Sequence, residues 1–535
     1  MSRVLRAGAI MAAGTLVSRV TGFLRTAVLA AALGTAALGD AYNVAYTIPL
    51  ILFDLLLGGA LSSVVVPMIV RAHRRDPDGG LAYEQRLMTF ATVGLTVVAA
   101  LAVFFAPQII GLYTDDWQGP KLEAAIMLAR FILPQIAFFG IGALAGAILN
   151  TRDRFGAPMW APVLNNLVMI GVGLLYLVVS DAGSSVEQVS EADLTLLGLG
   201  TTAGIVAQCI VLIVSLHRAG FRFRPRFDLR NAYLGEMARA AVWTLAYTVI
   251  SQFTFWITTK LATGAGDRAP GAGNAAYSYA YQFFQLPYGI IAVSVITAML
   301  PRMSRSVADG EFGVVREEFS SAVRLVSSAI VPAGLLLMVV GPAVTVLIFG
   351  HGNMTIAHAI YIGNVLQVFG LALVPFSVFQ LLLRVFYSFG DTRTPALVAV
   401  ANAVVSAGFS LVAYWLLPAE YIVMGLATAF TIAYIFGSAV LWRLASRRVG
   451  GLDGRRVAAA LSRMYVAAIP SAAFALAVLW AAERFGSGLS VLTSLIVLVA
   501  GGGLGLALYL AVAHRMRIPE VHSIVGMVAG RVGRG

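Results

Sequence analysis

Long apolar stretches separated by short polar loops recur along the whole of this 535-residue chain. A helix needs ~20 largely apolar residues to cross a bilayer. Fourteen stretches meet that requirement, beginning at roughly residues 9, 41, 87, 122, 158, 194, 236, 274, 316, 355, 394, 420, 457 and 488. Hydrophobic residues make up 59% of the chain and charged residues 12%, whereas a soluble chain is about 45–50% apolar and about 25% charged. The sequence therefore predicts an all-α integral membrane protein with about 14 transmembrane helices.

The basic residues are concentrated in alternate loops between these stretches. One set of loops holds arginine clusters within residues 71–86, 152–154, 218–230, 302–305 and 443–456. The other set holds few bases and most of the acids, including Asp181, Glu187 and Asp267. Because cytoplasmic loops carry the excess of Lys and Arg, both termini are expected in the cytoplasm. The formal net charge of +12 is thus an orientation signal, and no nucleic-acid partner is expected.

Two pairs of similar segments indicate an internal repeat. The loops ILNTRDRFGAP (Ile148–Pro158) and VFYSFGDTRTP (Val385–Pro395) both end in a proline that opens the next span, and these prolines are 237 residues apart. Ala-Tyr pairs ending at Tyr46 and Tyr281 are 235 residues apart. We therefore predict two six-helix lobes followed by two further helices. The predicted boundaries are 1–230 and 231–450 for the lobes, 451–516 for helices 13 and 14, and 517–535 for a short cytoplasmic tail.

Helix 1 carries the most informative polar residues. One face of this helix, an arc of roughly 120°, carries only small, polar and basic residues. These are Thr15, Ser18, Arg19, Gly22, Arg25 and Thr26. An arginine at the bilayer centre costs ~2.5–3.5 kcal/mol on insertion scales. We therefore predict that Arg19 and Arg25 line a water-filled cavity or meet an anion. A structural ion pair with Asp54, near the middle of helix 2, is the alternative, and both interpretations remain open.

Two further charged residues have a structural and a functional interpretation. Lys260 lies near the outer end of helix 7. Its ammonium group either extends to the membrane surface or faces the cavity. Asp40 begins helix 2 at the outer surface, where an N-cap role suffices and a gate contact is the functional alternative.

Signatures of enzymes and of metal sites are missing from the sequence. The glycine run 501–505 lies inside an apolar span and not after a strand, so it predicts helix packing and not a phosphate loop. The only cysteine is Cys209, and the six histidines are scattered. We expect no catalytic activity, no metal and no cofactor.

At four places, in the same order and helices, the sequence resembles the MurJ (MviN) lipid II flippases. These places are SRVTGFLR (Ser18–Arg25), Asp40-Ala41 with Pro49 and Gly59-Ala60, GAILNTRDRFGAPMWAPVLNN (Gly146–Asn166), and VFYSFGDTRTP (Val385–Pro395). The superfamily also holds MATE drug exporters. The resemblance covers residues 1 to roughly 515. It implies a V-shaped pair of six-helix lobes around a cationic cavity, and a groove on helices 13 and 14 for the prenyl tail.

The resemblance also implies site residues. Members of the family depend on arginines of helix 1, which match Arg19 and Arg25, and on an aspartate that matches Asp40.

The sequence departs from the family at other positions. The helix 8 arginine of some members is Gln282 here, and their helix 2 arginine is Phe53. Lys260 is expected to supply part of the missing positive charge. Some members bind a cation between carboxylates of helices 7 and 11, but helix 11 has none here, so no such site is expected.

These features together predict a flippase that moves lipid II from the cytoplasmic to the outer leaflet by alternating access. The predicted substrate-binding residues are Arg19, Arg25, Asp40, Asp54, Lys260 and Gln282. The expected location is the bacterial inner (plasma) membrane, with lipid II and the bilayer as partners and cell-wall or divisome proteins at the cytoplasmic loops. Two alternatives remain open: a multidrug antiporter, whose usually cationic substrates the arginines would repel, and a scaffold for cell-wall enzymes.

Overall fold

The computed structural model describes residues 3–55, 65–114, 117–228, 234–485 and 488–522. Within these residues the chain forms helices joined by turns and loops, which confirms the predicted all-α class. The match at Gly59 and Ala60 and the end of the predicted tail lie outside the described residues.

The described residues form nineteen α-helices. The first ten are α1 (Arg3–Leu33), α2 (Ala37–Phe53), α3 (Val66–Arg75), α4 (Leu81–Phe104), α5 (Ala106–Gly111), α6 (Gly119–Ile132), α7 (Gln135–Thr151), α8 (Gly156–Val179), α9 (Glu191–Arg218) and α10 (Leu234–Arg268). The others are α11 (Asn274–Pro287), α12 (Val293–Ala308), α13 (Phe312–Phe349), α14 (Ile356–Ser388), α15 (Arg393–Leu416), α16 (Ala419–Val449), α17 (Gly454–Phe485), α18 (Val491–Ile496) and α19 (Gly505–Arg515). Two π-helical segments, Tyr288–Ala292 and Val497–Leu504, join α11 to α12 and α18 to α19.

Twelve helical segments of the described residues are long and apolar enough to cross a membrane. They coincide with twelve of the fourteen predicted spans. Of the predicted second span, the described residues include α2, which is a shorter apolar helix. The predicted seventh span corresponds to α10, which has 35 residues. A polytopic membrane protein is confirmed, and the count of fourteen stays a prediction.

Local sequence signals account for several helix ends. Ser190 caps α9, because its side chain accepts a hydrogen bond from the backbone N–H of Asp193 while the Asp193 carboxylate bonds back. Gly450 ends α16 in a left-handed conformation with φ of 77°, which glycine adopts without a Cβ clash.

The chain groups into two compact units. The first comprises Met1–Ala275 and Gly352–Met354, and the second comprises Ala276–His351 and Thr355–Gly535. Helix α10 therefore belongs to the first unit. The predicted lobe boundaries after residues 230 and 450 stay predictions.

The short stretch Gly352–Met354 belongs to the first unit because it binds the end of α1. The backbone N–H of Asn353 donates to the carbonyl of Ala31 at 2.7 Å, and its side-chain amide donates to the carbonyl of Ala32 at 2.7 Å. The last carbonyls of a helix have no partner within it, so Asn353 caps the C-terminus of α1.

Each unit has its own apolar core. In the first unit, buried residues such as Tyr42, Ile132 and Tyr176 join α2, α6 and α8. In the second, the ring of Phe284 on α11 lies 5.2 Å from that of Phe369 on α14 and 5.5 Å from that of Phe430 on α16. Edge-to-face and offset aromatic contacts of this kind add to the free energy gained by burial.

A π-helical turn occurs at corresponding places in the second helix of each predicted lobe. Asp54 and Leu55 are π-helical, and so is Tyr288–Ala292. These turns begin 234 residues apart, close to the offset of 235 between Tyr46 and Tyr281. The agreement supports the internal repeat, which stays a prediction.

Candidate functional site

The polar face of α1 packs against α8 through one asparagine. Nη1 of Arg25 donates a hydrogen bond to Oδ1 of Asn166 at 3.2 Å. Nδ2 of Asn166 donates to the carbonyl of Ser18 and to Oγ1 of Thr21, each at 3.1 Å. A Cβ on Gly22 would lie 3.4 Å from Nδ2, at van der Waals distance, so Asn166 packs directly against this face of α1. Asn166 thus uses both ends of its amide to hold Arg25 on α1.

Arg19 lies at the other edge of the same polar arc. It is half-buried and makes no hydrogen bond or ion pair within the described residues. On the opposite side of α1, Leu16, Val20 and Leu24 are 58%, 51% and 48% exposed, as expected for side chains in contact with lipid. A guanidinium in a membrane span is tolerated where water or an anion meets it, and Arg19 is available to such a ligand.

Asp54 is bound by an amide. Its Oδ2 accepts a hydrogen bond from Nε2 of Gln252 on α10 at 2.9 Å. The alternative considered from the sequence, an ion pair of Asp54 with Arg19 or Arg25, is not formed among the described residues. Gln252 carried no signal in the sequence, because an amide inside a long helix predicts no particular partner.

The structure corrects the predicted N-cap role of Asp40. Helix α2 begins after Ala36, and Asp40 lies one turn later with only 2% of its surface exposed. Its Oδ1 accepts a hydrogen bond of 2.8 Å from the backbone N–H of Ala275, at the start of α11. A Cβ on Gly266 would lie 2.5 Å from Oδ2, and one on Gly273 would lie closer still. Asp40 is therefore enclosed by glycines and stabilises the start of a different helix from its own.

An ion pair holds the C-terminal end of α10, which lies against Asp40. Nζ of Lys121 lies 2.7 Å from Oδ1 of Asp267, which also accepts a hydrogen bond of 2.7 Å from Nε1 of Trp117. The same Nζ lies 3.9 Å from the centroid of the Trp117 ring, a cation–π distance. From the sequence, Asp267 was considered only as an orientation signal, although Lys121 lies in a predicted loop on the same side of the membrane. Their opposite charges on loops of the same side were the signal for a contact.

Lys260 and Gln282 lie in different compact units. Lys260 is half-buried, with Nζ 5.7 Å from the centroid of the Trp256 ring. Gln282 is half-buried on α11, where the neighbouring Gln285 donates a hydrogen bond of 2.7 Å to the hydroxyl of Tyr281. Their predicted roles in substrate binding stay predictions.

The loop Ile148–Pro158 is fixed by a buried acid on α4. Arg152 forms an ion pair with Glu84, whose side chain is fully buried. Nε2 of His73 lies 2.8 Å from the other oxygen of Glu84. Glu84 therefore joins α3, α4 and the loop after α7.

The corresponding loop of the second unit also contains an ion pair. Nη1 of Arg448 lies 2.5 Å from Oδ2 of Asp391, and Thr394 donates its backbone N–H and hydroxyl to the same carboxylate. Burial raises the pKa of Asp391, but the hydrogen bonds from Thr394 and Arg448 outweigh it and hold that pKa below its usual value. Within the described part of the chain, no three His, Cys, Asp or Glu side chains converge as metal ligands would.

The fold defines the class of protein. A solved structure of lipid II flippase MurJ in an inward closed conformation matches with a TM-score of 0.75 at 18% identity, covering 95% of this chain and 99% of that chain. A multidrug resistance MATE family transporter of the MOP superfamily, in an inward-facing conformation, matches with a TM-score of 0.65 at 14% identity, covering 82% and 96%. The chain thus has the fold of MOP-superfamily transporters.

Sequence comparison identifies the family. The profile described as lipid II flippase MurJ matches residues 29–500. A probable lipid II flippase MurJ of Rhizobium meliloti (strain 1021) is 27% identical over 521 residues, covering 94% of this chain and 92% of the relative. One from Vibrio cholerae serotype O1 is 27% identical over 534 residues, covering 95% of each. The chain belongs to the MurJ lipid II flippase family.

Proposed function

We propose that this chain moves lipid II from the cytoplasmic to the outer leaflet by alternating access, as a transporter without catalytic activity. The observation that carries the proposal is the pair of arginines in the first span, with Arg25 held by Asn166 and Arg19 without a bonded partner in the described residues. A guanidinium binds a diphosphate through paired, charge-assisted hydrogen bonds. The names of the curated relatives support the same substrate.

The neutral partner of Arg25 matters for this role. An asparagine fixes the guanidinium but leaves its full positive charge, whereas a carboxylate would cancel that charge. An anionic headgroup is therefore attracted to this face of α1, and a cationic drug is repelled. The same charge argues against the multidrug antiporter, although MATE transporters share the fold.

The prenyl tail of the substrate is proposed to stay in lipid along the last two spans. Ile469 and Leu476 on α17 are 59% and 55% exposed, and Val499, in the π-helical segment before α19, is 65% exposed. A Cβ on Gly501 would lie 3.4 Å from Cα of Ala475, at van der Waals distance, so these spans pack directly against each other. Their outer surface is an apolar one on which an isoprenoid chain would lie without losing contact with lipid.

Asp40 is proposed to act at the outer gate. Its bond to Ala275 depends on Gly266 at the end of α10 and on Gly273 in the loop before α11, so a displacement of that loop breaks the contact. Outward opening would require such a displacement.

The membrane potential is proposed as the driving force. An inward-negative potential favours outward release of an anion at ~2.3 kcal/mol per charge per 100 mV. We also propose that both termini lie in the cytoplasm, and that cell-wall or divisome proteins bind at the cytoplasmic loops.

The test is transport of a labelled lipid II by the full chain in proteoliposomes, in parallel with growth of cells depleted of the protein. We expect lipid II to reach the opposite leaflet faster in these vesicles than in protein-free ones, and cytoplasmic lipid II to accumulate on depletion. Transport of a cationic drug without lipid II movement would support the antiporter. Restored growth without transport of either would support the scaffold.

A further inference from the structure

After α9 the chain forms an extended segment of alternating phenylalanine and arginine, FRFRPRFD, at Phe221–Asp228. The ring of Phe221 is buried in the core of the first unit, whereas Phe223 and Phe227 are 49% and 66% exposed. Arg222 and Arg224 are exposed as well. Two large apolar rings and two cations are thus exposed together within seven residues.

The segment has a fixed position on α4. Nε2 of Gln85 donates a hydrogen bond of 2.6 Å to the carbonyl of Arg222, and Nε of Arg226 donates to Oε1 of the same glutamine at 2.9 Å. The backbone N–H of Arg226 donates to Oγ1 of Thr89 at 3.1 Å. Since the backbone is anchored at both ends of this stretch, the exposure of Phe223 and Phe227 is built into the fold.

The single acid of the segment is neutralised within the protein. Nε and Nη2 of Arg86 lie 2.9 and 2.8 Å from Oδ2 of Asp228. The hydrogen bond from Arg86 lowers the pKa of Asp228, which keeps this carboxylate ionised and paired. Arg224 makes no hydrogen bond or ion pair within the described residues, and the exposed surface of the segment is therefore cationic.

The segment continues a lipid-facing helix surface. Ile210, Ile213 and Val214 of α9 are 54%, 44% and 42% exposed in a helix that is apolar enough to span the membrane. Arg218 follows one turn later at the end of α9, and the segment begins three residues beyond it. This order places the segment at the level of the headgroups, where aromatic rings and basic side chains are enriched.

We propose that Phe221–Asp228 is a docking surface for anionic phospholipids. Phe223 and Phe227 insert at the boundary between headgroups and acyl chains, while Arg222 and Arg224 bind lipid phosphates. An arginine near an anionic membrane surface contributes about fivefold to binding. The proposal does not depend on lipid II transport or on which membrane face the segment occupies.

Because Cys209 is the single cysteine of the chain, its replacement lets a spin label be attached at one chosen position. In a Cys209→Ala background, a nitroxide is attached to Phe227→Cys in the full protein, reconstituted in vesicles of phosphatidylcholine with or without phosphatidylglycerol. We expect the label to be more accessible to oxygen than to an aqueous paramagnetic reagent when phosphatidylglycerol is present. Arg222→Gln with Arg224→Gln should lower the ratio of inserted to aqueous label about fivefold for each arginine removed. High salt should also lower this ratio, because it screens the attraction between the arginines and the lipid phosphates.

Two controls make the outcome decisive. A label at Pro77→Cys, an exposed loop position, should stay aqueous in both vesicles. Arg302→Gln with Arg305→Gln removes the same charge from the end of α12 and should leave the Phe227→Cys label inserted. The proposal is overturned if that label is equally aqueous in both vesicles, or if the Arg302 and Arg305 substitutions release it as strongly as the Arg222 and Arg224 substitutions.

Discussion

Nη1 of Arg25 lies 3.2 Å from Oδ1 of Asn166, which joins the first and third stretches of sequence that resemble the family. The same asparagine holds the backbone of α1 through Ser18 and the hydroxyl of Thr21. A neutral residue on α8 thus fixes the direction of a charge on α1. This relationship gives Asn166 a positioning role that can be separated from the charge of Arg25.

Substitutions of Asn166 test that positioning role. Asn166→Asp keeps an acceptor for Arg25 but cancels its charge and loses the donor to the carbonyl of Ser18, so we expect weaker binding of lipid II and a smaller loss of stability than for leucine. Asn166→Leu removes the hydrogen bonds and should cost about 1–3 kcal/mol of stability through the groups left unsatisfied. Binding of lipid II to purified variants and thermal unfolding in detergent separate the two effects. Normal binding by Asn166→Asp would show that the charge of Arg25 does not contact the substrate.

Alanine at Arg19 or Arg25 should reduce transport while leaving membrane insertion intact, because loss of the charge lowers the cost of insertion. A hydrogen bond to a charged group contributes about 1.5–3 kcal/mol, which corresponds to a decrease of about 10- to 150-fold in substrate affinity. Lysine at either position should restore little transport, since its ammonium group lacks the two parallel N–H donors of a guanidinium. Arg384→Ala, near the end of another span, serves as the control and should reduce transport less than the alanine variants of helix 1. The measurement is growth of depleted cells at matched expression. Normal growth of both alanine variants would contradict the cationic-cavity mechanism.

The enclosure of Asp40 predicts a steric effect at two glycines. Gly273→Ala places a methyl group against the Asp40 carboxylate, and Gly266→Ala does so from the preceding helix. Both should impair transport and lower thermal stability, as should Asp40→Ala, which leaves the N–H of Ala275 without its acceptor. Asp40→Asn keeps an acceptor and should be milder. A Gly273→Ala variant with unchanged melting temperature and transport would show that the carboxylate moves freely.

Topology is tested by reporter tags. We expect tags after Arg75, Arg226 or Arg448 to report the cytoplasm, and tags near Ser184 or Asp267 to report the outside. The loops that hold the first three positions carry an excess of arginine, and loops rich in arginine lie on the cytoplasmic side of a membrane protein. An outside report at any of the first three positions would contradict the fourteen-span topology.

The helices were largely predictable because apolar length alone identifies a membrane span. The π-helical turns were not predictable, since hydropathy carries no information on where backbone hydrogen bonds shift by one residue along a helix. At the site, the sequence identified Arg19 and Arg25 from the cost of burying charge. Neutral partners such as Asn166 and Gln252 carry no such cost, so the sequence did not reveal them. The N-cap role predicted for Asp40 was wrong, because local capping rules consider only the residues that follow in sequence, whereas Asp40 binds the start of α11.

The buried acid Glu84 provides a test of how the loop Ile148–Pro158 is fixed. Breaking a buried ion pair by removing one partner costs about 3–5 kcal/mol, because the other charge is left uncompensated. Arg152 keeps 23% of its side chain exposed and can reach water, whereas Glu84 is fully buried. Arg152→Met should therefore destabilise the protein more than Glu84→Gln, because only the first leaves a buried carboxylate without its arginine, in contact with His73 alone. The double variant should be more stable than Arg152→Met alone. Unfolding of the four proteins in mixed micelles gives the coupling energy, with the exposed Glu187→Gln as a control that should be neutral. Additive effects of the two substitutions would show that the pair does not hold the loop.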